Sequence, residues 1–174
     1  MLSHRNLSLQ EYQSKQILSD YGITIQKFRV ASNADEVEQL TTDLYNETKA
    51  DEFVIKAQIL AGGRGKGHFD NGFKGGVHLT KDRAEVQRIV KQMLGNRLVT
   101  KQTTADGVLV NKVSISQALD IASETYFAIL MDREHNGPVM IGSPEGGVDI
   151  EQVAEDNPDA IFTVSFILLP TCVV

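Results

Sequence analysis

Cysteine is nearly absent from this chain: the single one, Cys172, is the third residue from the end. No disulfide framework and no cysteine-rich metal site can form within one copy, and a reducing compartment is compatible with that usage. No run reaches the ~18 apolar residues that a membrane helix needs, and the first residues show neither a signal-peptide core nor an arginine-rich amphipathic presequence. Repeats and low-complexity tracts are lacking too. Positive charge is in short supply, with a formal net charge of −6, which argues against a nucleic-acid backbone as partner. What remains is a chain of 174 residues, 41% apolar, able to bury a core as one domain of two lobes at most.

Against that acidic background, Lys56 to Lys81 carries Lys56, Arg64, Lys66, Lys74 and Lys81 and only one acid, Asp70, a local excess of +4. The same stretch holds half of the chain's 14 glycines within Gly62–Gly76. Glycine has no Cβ to hold a ligand off and admits positive φ, so successive backbone N–H groups can converge on an anion while Arg64 and Lys66 supply charge. A phosphate group on a small ligand fits this chemistry. Two common phosphate motifs do not fit the sequence. A P-loop fails because Leu60 stands where its first glycine belongs and Gly67 where its hydroxyl belongs, and a dinucleotide fingerprint fails at His68. A solvated surface loop or a glycine–arginine RNA-binding segment with Phe69 and Phe73 as stackers would use similar residues; flanking strands and the acidic total charge speak against the second.

The flanks are strand-like. Phe53, Ile55, Ala57 and Ile59 alternate with Val54, Lys56, Gln58 and Leu60, so Lys56 lies off the fully apolar face. Gly76 to Thr80 reads as a second strand, making the glycine window the connection of an antiparallel hairpin and a flexible lid over phosphates. Elsewhere, Ser8 and Glu11 form an S-x-x-E capping box for a helix from about Leu9 to Asp20, with Gly22 beyond its end. Ile23 to Ala31 reads as a strand. A helix begins after Ser32 with Val37, Leu40, Thr41 and Leu44 on one face, and residues 46–52 read as a polar loop. Asp82 caps a helix carrying Val86, Ile89, Val90, Met93 and Leu94, which Gly95 ends. Strands follow at Leu98–Lys101 and Val108–Ser116, then a hairpin of Thr125–Asp132 and Pro138–Ser143 around Asn136-Gly137, and a short helix over about Asp149–Glu155. The last twelve residues contain eight apolar and no charged ones; exposed, such a segment invites aggregation.

Five segments in order, Leu9–Lys15, Ile55–Gly67, Phe73–Thr80, Ile129–Arg133 and Gly146–Glu151, together resemble the β-subunit family of succinate–CoA ligases. The resemblance runs from about Leu7 to Phe162. It implies an α+β architecture, an incomplete ATP-grasp fold holding the first lobe and part of the second. On this reading residues 1–162 are the N-terminal part of the nucleotide-binding domain, 163–174 are an apolar tail without family resemblance, and the C-terminal CoA-ligase domain is absent. Carried over by position, Lys56, Gly63, Arg64 and Gly65 would hold the phosphates, Leu119 would line the base, and Glu124 would lie on the strand facing the nucleotide. Gln26, whose amide can answer the donor–acceptor edge of guanine, points to the GDP-forming branch. The family's histidine phosphate carrier belongs to its α-subunit, so no catalytic residue is assigned here.

The resemblance further implies GDP or GTP as substrate, magnesium for the complete protein, an α-subunit partner in a heterodimer and the mitochondrial matrix. It implies neither nucleic acid nor membrane as partner. The sequence departs from the family at neutral Gln117, where glutamate is usual, and beyond Phe162, where the magnesium-holding asparagine and aspartate would follow; no metal ligand is assigned. Two alternatives stay open: a non-catalytic nucleotide- or partner-binding fragment, and another ATP-grasp acyl-CoA ligase.

Overall fold

The computed structural model describes residues 8–147 and 150–167. The chain divides into two compact units, 1–119 and 120–174.

In the first unit the alternating segment becomes β2 (Phe53–Ala57). Phe53, Ile55, Ala57 and, just beyond the strand, Ile59 are buried as the period-2 pattern requires. It pairs antiparallel with β4 (Val77–Thr80), Lys56 opposite Val77. On its other side it pairs antiparallel with β7 (Val113–Gln117), which in turn holds β1 (Phe28–Ala31), giving the order β1-β7-β2-β4. Two helices supply the rest of the core: α2 (Val37–Thr48) through Val37 and Leu44, and α3 (Arg83–Met93) through Val86, Ile89, Val90 and Met93. Their i, i+3, i+4 spacing places these side chains on one stripe. Asp82 caps α3 as expected, its carboxylate accepting from the Ala84 N–H at 2.9 Å.

The hairpin reading of β2 and β4 holds, but its connection is no loose lid. It sends out β3 (His68–Phe69), which joins a second small sheet with β5 (Arg97–Val99) and β6 (Val108–Leu109). Phe69 at its centre is buried in the core. Backbone bonds tie the window to itself: Gly67 and Gly76 both donate to the Arg64 carbonyl, at 3.1 and 2.8 Å, and Gly75 donates to Gly67 at 2.8 Å.

Four local expectations change. The first helix, α1 (Glu11–Asp20), has Gln10 as its N-cap, with the Gln13 side chain accepting from the Gln10 N–H at 2.9 Å. Ser8 and Glu11 form no box, because the Glu11 carboxylate is engaged by cations. The strand expected at 23–31 begins only at Phe28: β7 ends at Gln117, so earlier residues have no ladder to join. The strand expected over 108–116 breaks into β6 and β7, since Val108 and Leu109 belong to the small sheet and Val113 onward to the large one. The loop expected at 46–52 starts later, because α2 runs to Thr48 and is closed by Lys49 at φ +56°.

The second unit is a three-stranded antiparallel sheet. Strands β8 (Tyr126–Asp132) and β9 (Gly137–Ser143) form the expected hairpin, with Asn136 at φ +52° in its turn. Helix α4 covers Ile150–Asp156; Asp149, its expected start, lies outside the described residues. Strand β10 (Phe162–Ser165) pairs with β9, so residues 163–165 of the expected tail are part of a sheet. Residues 168–174 lie outside the described residues. Among those described, no helix is long and apolar enough to cross a membrane.

Candidate functional site

The glycine window has a definite geometry at its start. Gly63 is left-handed, φ +69° and ψ 17°, and Arg64–Lys66 follow as a 3-10 turn. A left-handed residue followed by right-handed ones makes successive N–H groups point to one side, the form of an anion-binding nest. Around it the backbone is satisfied internally: Gly62 N–H donates to the Gln102 side-chain oxygen at 2.6 Å, Lys66 to Gly63 at 3.1 Å and Gly72 to Phe69 at 3.0 Å. Gly63, Arg64 and Gly65 are different. Their N–H groups find no protein acceptor among the described residues, and Gly63 and Gly65 are exposed. An adjoining groove is lined by Lys66, His68, Lys74 and His78 with glycines between them. His78 has a structural part in it, stacked on Phe73 at 4.7 Å with its Nε2 2.8 Å from the Gly75 carbonyl.

Lys56 and Arg64 meet at one carboxylate, which sequence reading had assigned to a helix cap. Glu11 Oε2 lies 2.5 Å from an Arg64 guanidinium nitrogen, while Oε1 lies 3.4 Å from Lys56 Nζ and 3.2 Å from Lys15 Nζ. The other Arg64 terminal nitrogen donates to the Ala57 carbonyl at 2.7 Å, so the guanidinium is fixed from two directions. Burial pushes the Glu11 carboxyl up, but the Arg64 hydrogen bond and the charges of Lys56, Arg64 and Lys15 overcome it and hold the group down at about 2. It is therefore ionised at neutral pH, and three cations share one negative charge.

A buried amide docks α1 onto this arrangement. Gln58, 1% exposed, accepts from the Tyr12 N–H at 3.1 Å and donates to Ser114 Oγ at 2.9 Å, while its backbone carbonyl takes the Gln10 amide at 3.1 Å. The alternation had placed Gln58 on the polar side of its strand without a task. Burying an amide requires such partners, and Gln58 and Glu11 are the two members of the site that sequence reading missed. A polar residue inside a strand of apolar neighbours was the available signal for Gln58; Glu11 gave none, since its spacing from Ser8 suited a cap.

Gln26 meets α1 at Lys15, one turn beyond Glu11. Its oxygen accepts from Lys15 Nζ at 3.3 Å and its nitrogen donates to the Gln117 carbonyl. That bond places Gln26 beside the segment leading to Leu119, which is 56% exposed and follows Ala118, itself held by the Glu52 carbonyl at 2.8 Å. The structure thus brings together Lys56 and Arg64 through Glu11, and Gln26 with the 117–119 segment. Glu124 belongs to the second unit, where its carbonyl accepts from Gly146 N–H at 3.1 Å and its carboxylate packs where a Cβ on Gly147 would stand. As for magnesium, no three His, Cys, Asp or Glu side chains gather as a metal site among the described residues.

The chain is 58% identical to the GDP-forming succinate–CoA ligase β subunit, mitochondrial, of Homo sapiens, covering 93% of this chain and 37% of that protein. The corresponding Caenorhabditis elegans protein is 54% identical over 91% and 38% of the two chains. An ADP-forming mitochondrial β subunit from Dictyostelium discoideum is 48% identical over 91% and 35%. The chain thus spans little more than a third of the length of these curated relatives. Among solved structures, an ATP citrate lyase from Methanothrix soehngenii with citrate and coenzyme A superposes with a TM-score of 0.60 at 19% identity, covering 94% of this chain and 36% of that one. The Ca. Korarchaeum cryptofilum ACD1 structure with coenzyme A gives 0.58 at 17%, covering 90% and 59%. At such identities the likeness speaks for the fold alone. Residues 8–169 match the model of the ATP-grasp domain, and the chain belongs to the ATP-grasp family.

Proposed function

We propose that this chain is the nucleotide-holding N-terminal part of the β subunit of a GDP-forming succinate–CoA ligase. The whole enzyme would interconvert succinyl-CoA, GDP and phosphate with succinate, CoA and GTP. The observation that carries the reading is the row of N–H groups at Gly63, Arg64 and Gly65 that no protein acceptor takes among the described residues, in a left-handed turn whose Arg64 side chain meets Lys56 at the Glu11 carboxylate. Phosphoryl transfer asks the protein mainly to position and neutralise the phosphate chain, and backbone donors with fixed cations supply both functions. Gln26 and Leu119 would receive the guanine base, and Glu124 would face the nucleotide. The close match to GDP-forming relatives supports guanine over adenine.

In the same reading the complete protein would use magnesium, which would supply charge neutralisation at the phosphates from ligands not assigned here, the partner is the ligase α subunit in a heterodimer, and the site of action is the mitochondrial matrix, within the citric acid cycle. Calorimetric titration with GDP tests the core of it. Arg64→Ala is expected to weaken binding by about 1.5–3 kcal/mol, the scale of a charge-assisted hydrogen bond. Unchanged affinity in a folded variant removes the loop from the site. Gln26→Ala is expected to erode the preference for GDP over ADP, and an unaltered ratio removes Gln26 from the base.

A further inference from the structure

We propose that Glu11 and Lys15 are positioning residues that hold the phosphate contacts and the base contact in one frame; the proposal rests on the nucleotide reading above. The two side chains stand one turn apart on α1 and are paired at 3.2 Å, the i, i+4 separation that places them on one helix face. From Glu11 the connection continues to Arg64 at 2.5 Å and Lys56 at 3.4 Å. From Lys15 it continues to the Gln26 oxygen at 3.3 Å, and from Gln26 to the Gln117 carbonyl. An unbroken chain of polar contacts therefore runs from the phosphate loop to the segment before Leu119, through two residues with no assigned part in binding.

Each contact has a physical consequence. Lys56, Arg64 and Lys15 lie close enough to one carboxylate that, without it, three like charges would repel and the guanidinium would lose one of its two fixed partners. A neutral residue at position 11 leaves more positive charge but less order. The contacts are half-buried, with side-chain exposures of 18% for Arg64 and 26% for Glu11, where electrostatic positioning is stronger than in open water. Lys15 acts at the other end. By donating to the Gln26 oxygen it leaves the amide nitrogen on Gln117 and so fixes which way the amide faces, the property that decides what a purine edge meets. Lys15 also lies 5.7 Å over the Phe28 ring, which restrains its ammonium.

Calorimetry of the purified native protein with GDP and with ADP, run on single and double variants, tests this. Glu11→Gln is expected to weaken both nucleotides about tenfold, the scale for one charged hydrogen bond, and to add clearly less in an Arg64→Ala background, where only the Lys56 contact is left to lose. Lys15→Met is expected to lower the GDP-to-ADP ratio as Gln26→Ala does, with the double variant no worse than either. Additive effects in these cycles, or equal or tighter binding by Glu11→Gln, overturn the proposal, since residues that act on the nucleotide through one another must couple in binding. Glu11→Asp keeps the charge but withdraws the carboxylate, giving a second arm if Glu11→Gln does not fold: weaker binding by the folded variant is expected, and unchanged binding overturns the proposal. Failure of Arg64→Ala and Gln26→Ala themselves to alter binding identifies the nucleotide reading as the step that failed.

Discussion

Replacing Glu11 by glutamine should change how the fold responds to acid. The carboxyl is held at about 2 against an ordinary 4.5, so its ionised form is favoured in the folded state. A folded-state value below the unfolded one means stabilisation that is complete above the unfolded value and lost as pH falls through the interval between them. The displacement corresponds to about 3 kcal/mol. The Glu11 side chain is 26% exposed, and screening reduces the expectation to about 2 kcal/mol. Urea unfolding of the native and Glu11→Gln proteins between about pH 2.5 and 7 reads the difference directly. Native protein should be more stable by that amount above about pH 5, and the gap should close as pH approaches 2.

Other carboxylates do not confuse this result. Glu36 is held low by the Ser32 and Asn33 backbone N–H groups, Glu47 by Arg29 and Lys27, and Asp132 by the His135 side chain. They titrate in both proteins and cancel in the difference. A gap of the same size at pH 3 and pH 7, or no gap at pH 7, refutes the reasoning, because the carboxylate would then not be what the three cations stabilise.

Gly67→Ala should destabilise the fold by about 1–3 kcal/mol, measured by denaturant midpoint: a Cβ there would stand 2.6 Å from the Val99 carbonyl oxygen, where β3 meets β5. Gly65→Ala should leave the midpoint within about 0.5 kcal/mol, since its Cβ would meet nothing nearer than Val77 at 3.9 Å, while GDP affinity falls because the methyl group crowds the phosphates; a shifted midpoint with unaltered affinity reverses the assignment. Gln58→Ala should cost about 1–3 kcal/mol by leaving the Tyr12 N–H unsatisfied and removing the donor to Ser114 Oγ, and should raise hydrogen exchange in α1 before the rest of the fold.

Local order was legible in the sequence wherever a periodic pattern met a strong stop signal. The β2 alternation, the apolar stripes of α2 and α3, the Asp82 cap and the Asn136-Gly137 hairpin all follow from neighbours a few residues apart, whose geometry the backbone itself dictates. The glycine window was legible as an anion loop for the same reason: glycine content and interleaved cations are local properties. Only the tertiary structure decided which N–H groups stay unused, because that depends on β3 being drawn into a second sheet by β5, 28 or more residues away. It also decided where strands end. Residues 23–27 have strand composition but no ladder, and Val108–Ser116 is divided between two sheets by partners the sequence does not mark. Glu11 shows the limit most clearly. Its spacing from Ser8 satisfied a capping rule, yet Arg64, 53 positions on, and Lys56 claimed its carboxylate, because two cations at close range in a half-buried setting outweigh one exposed backbone N–H.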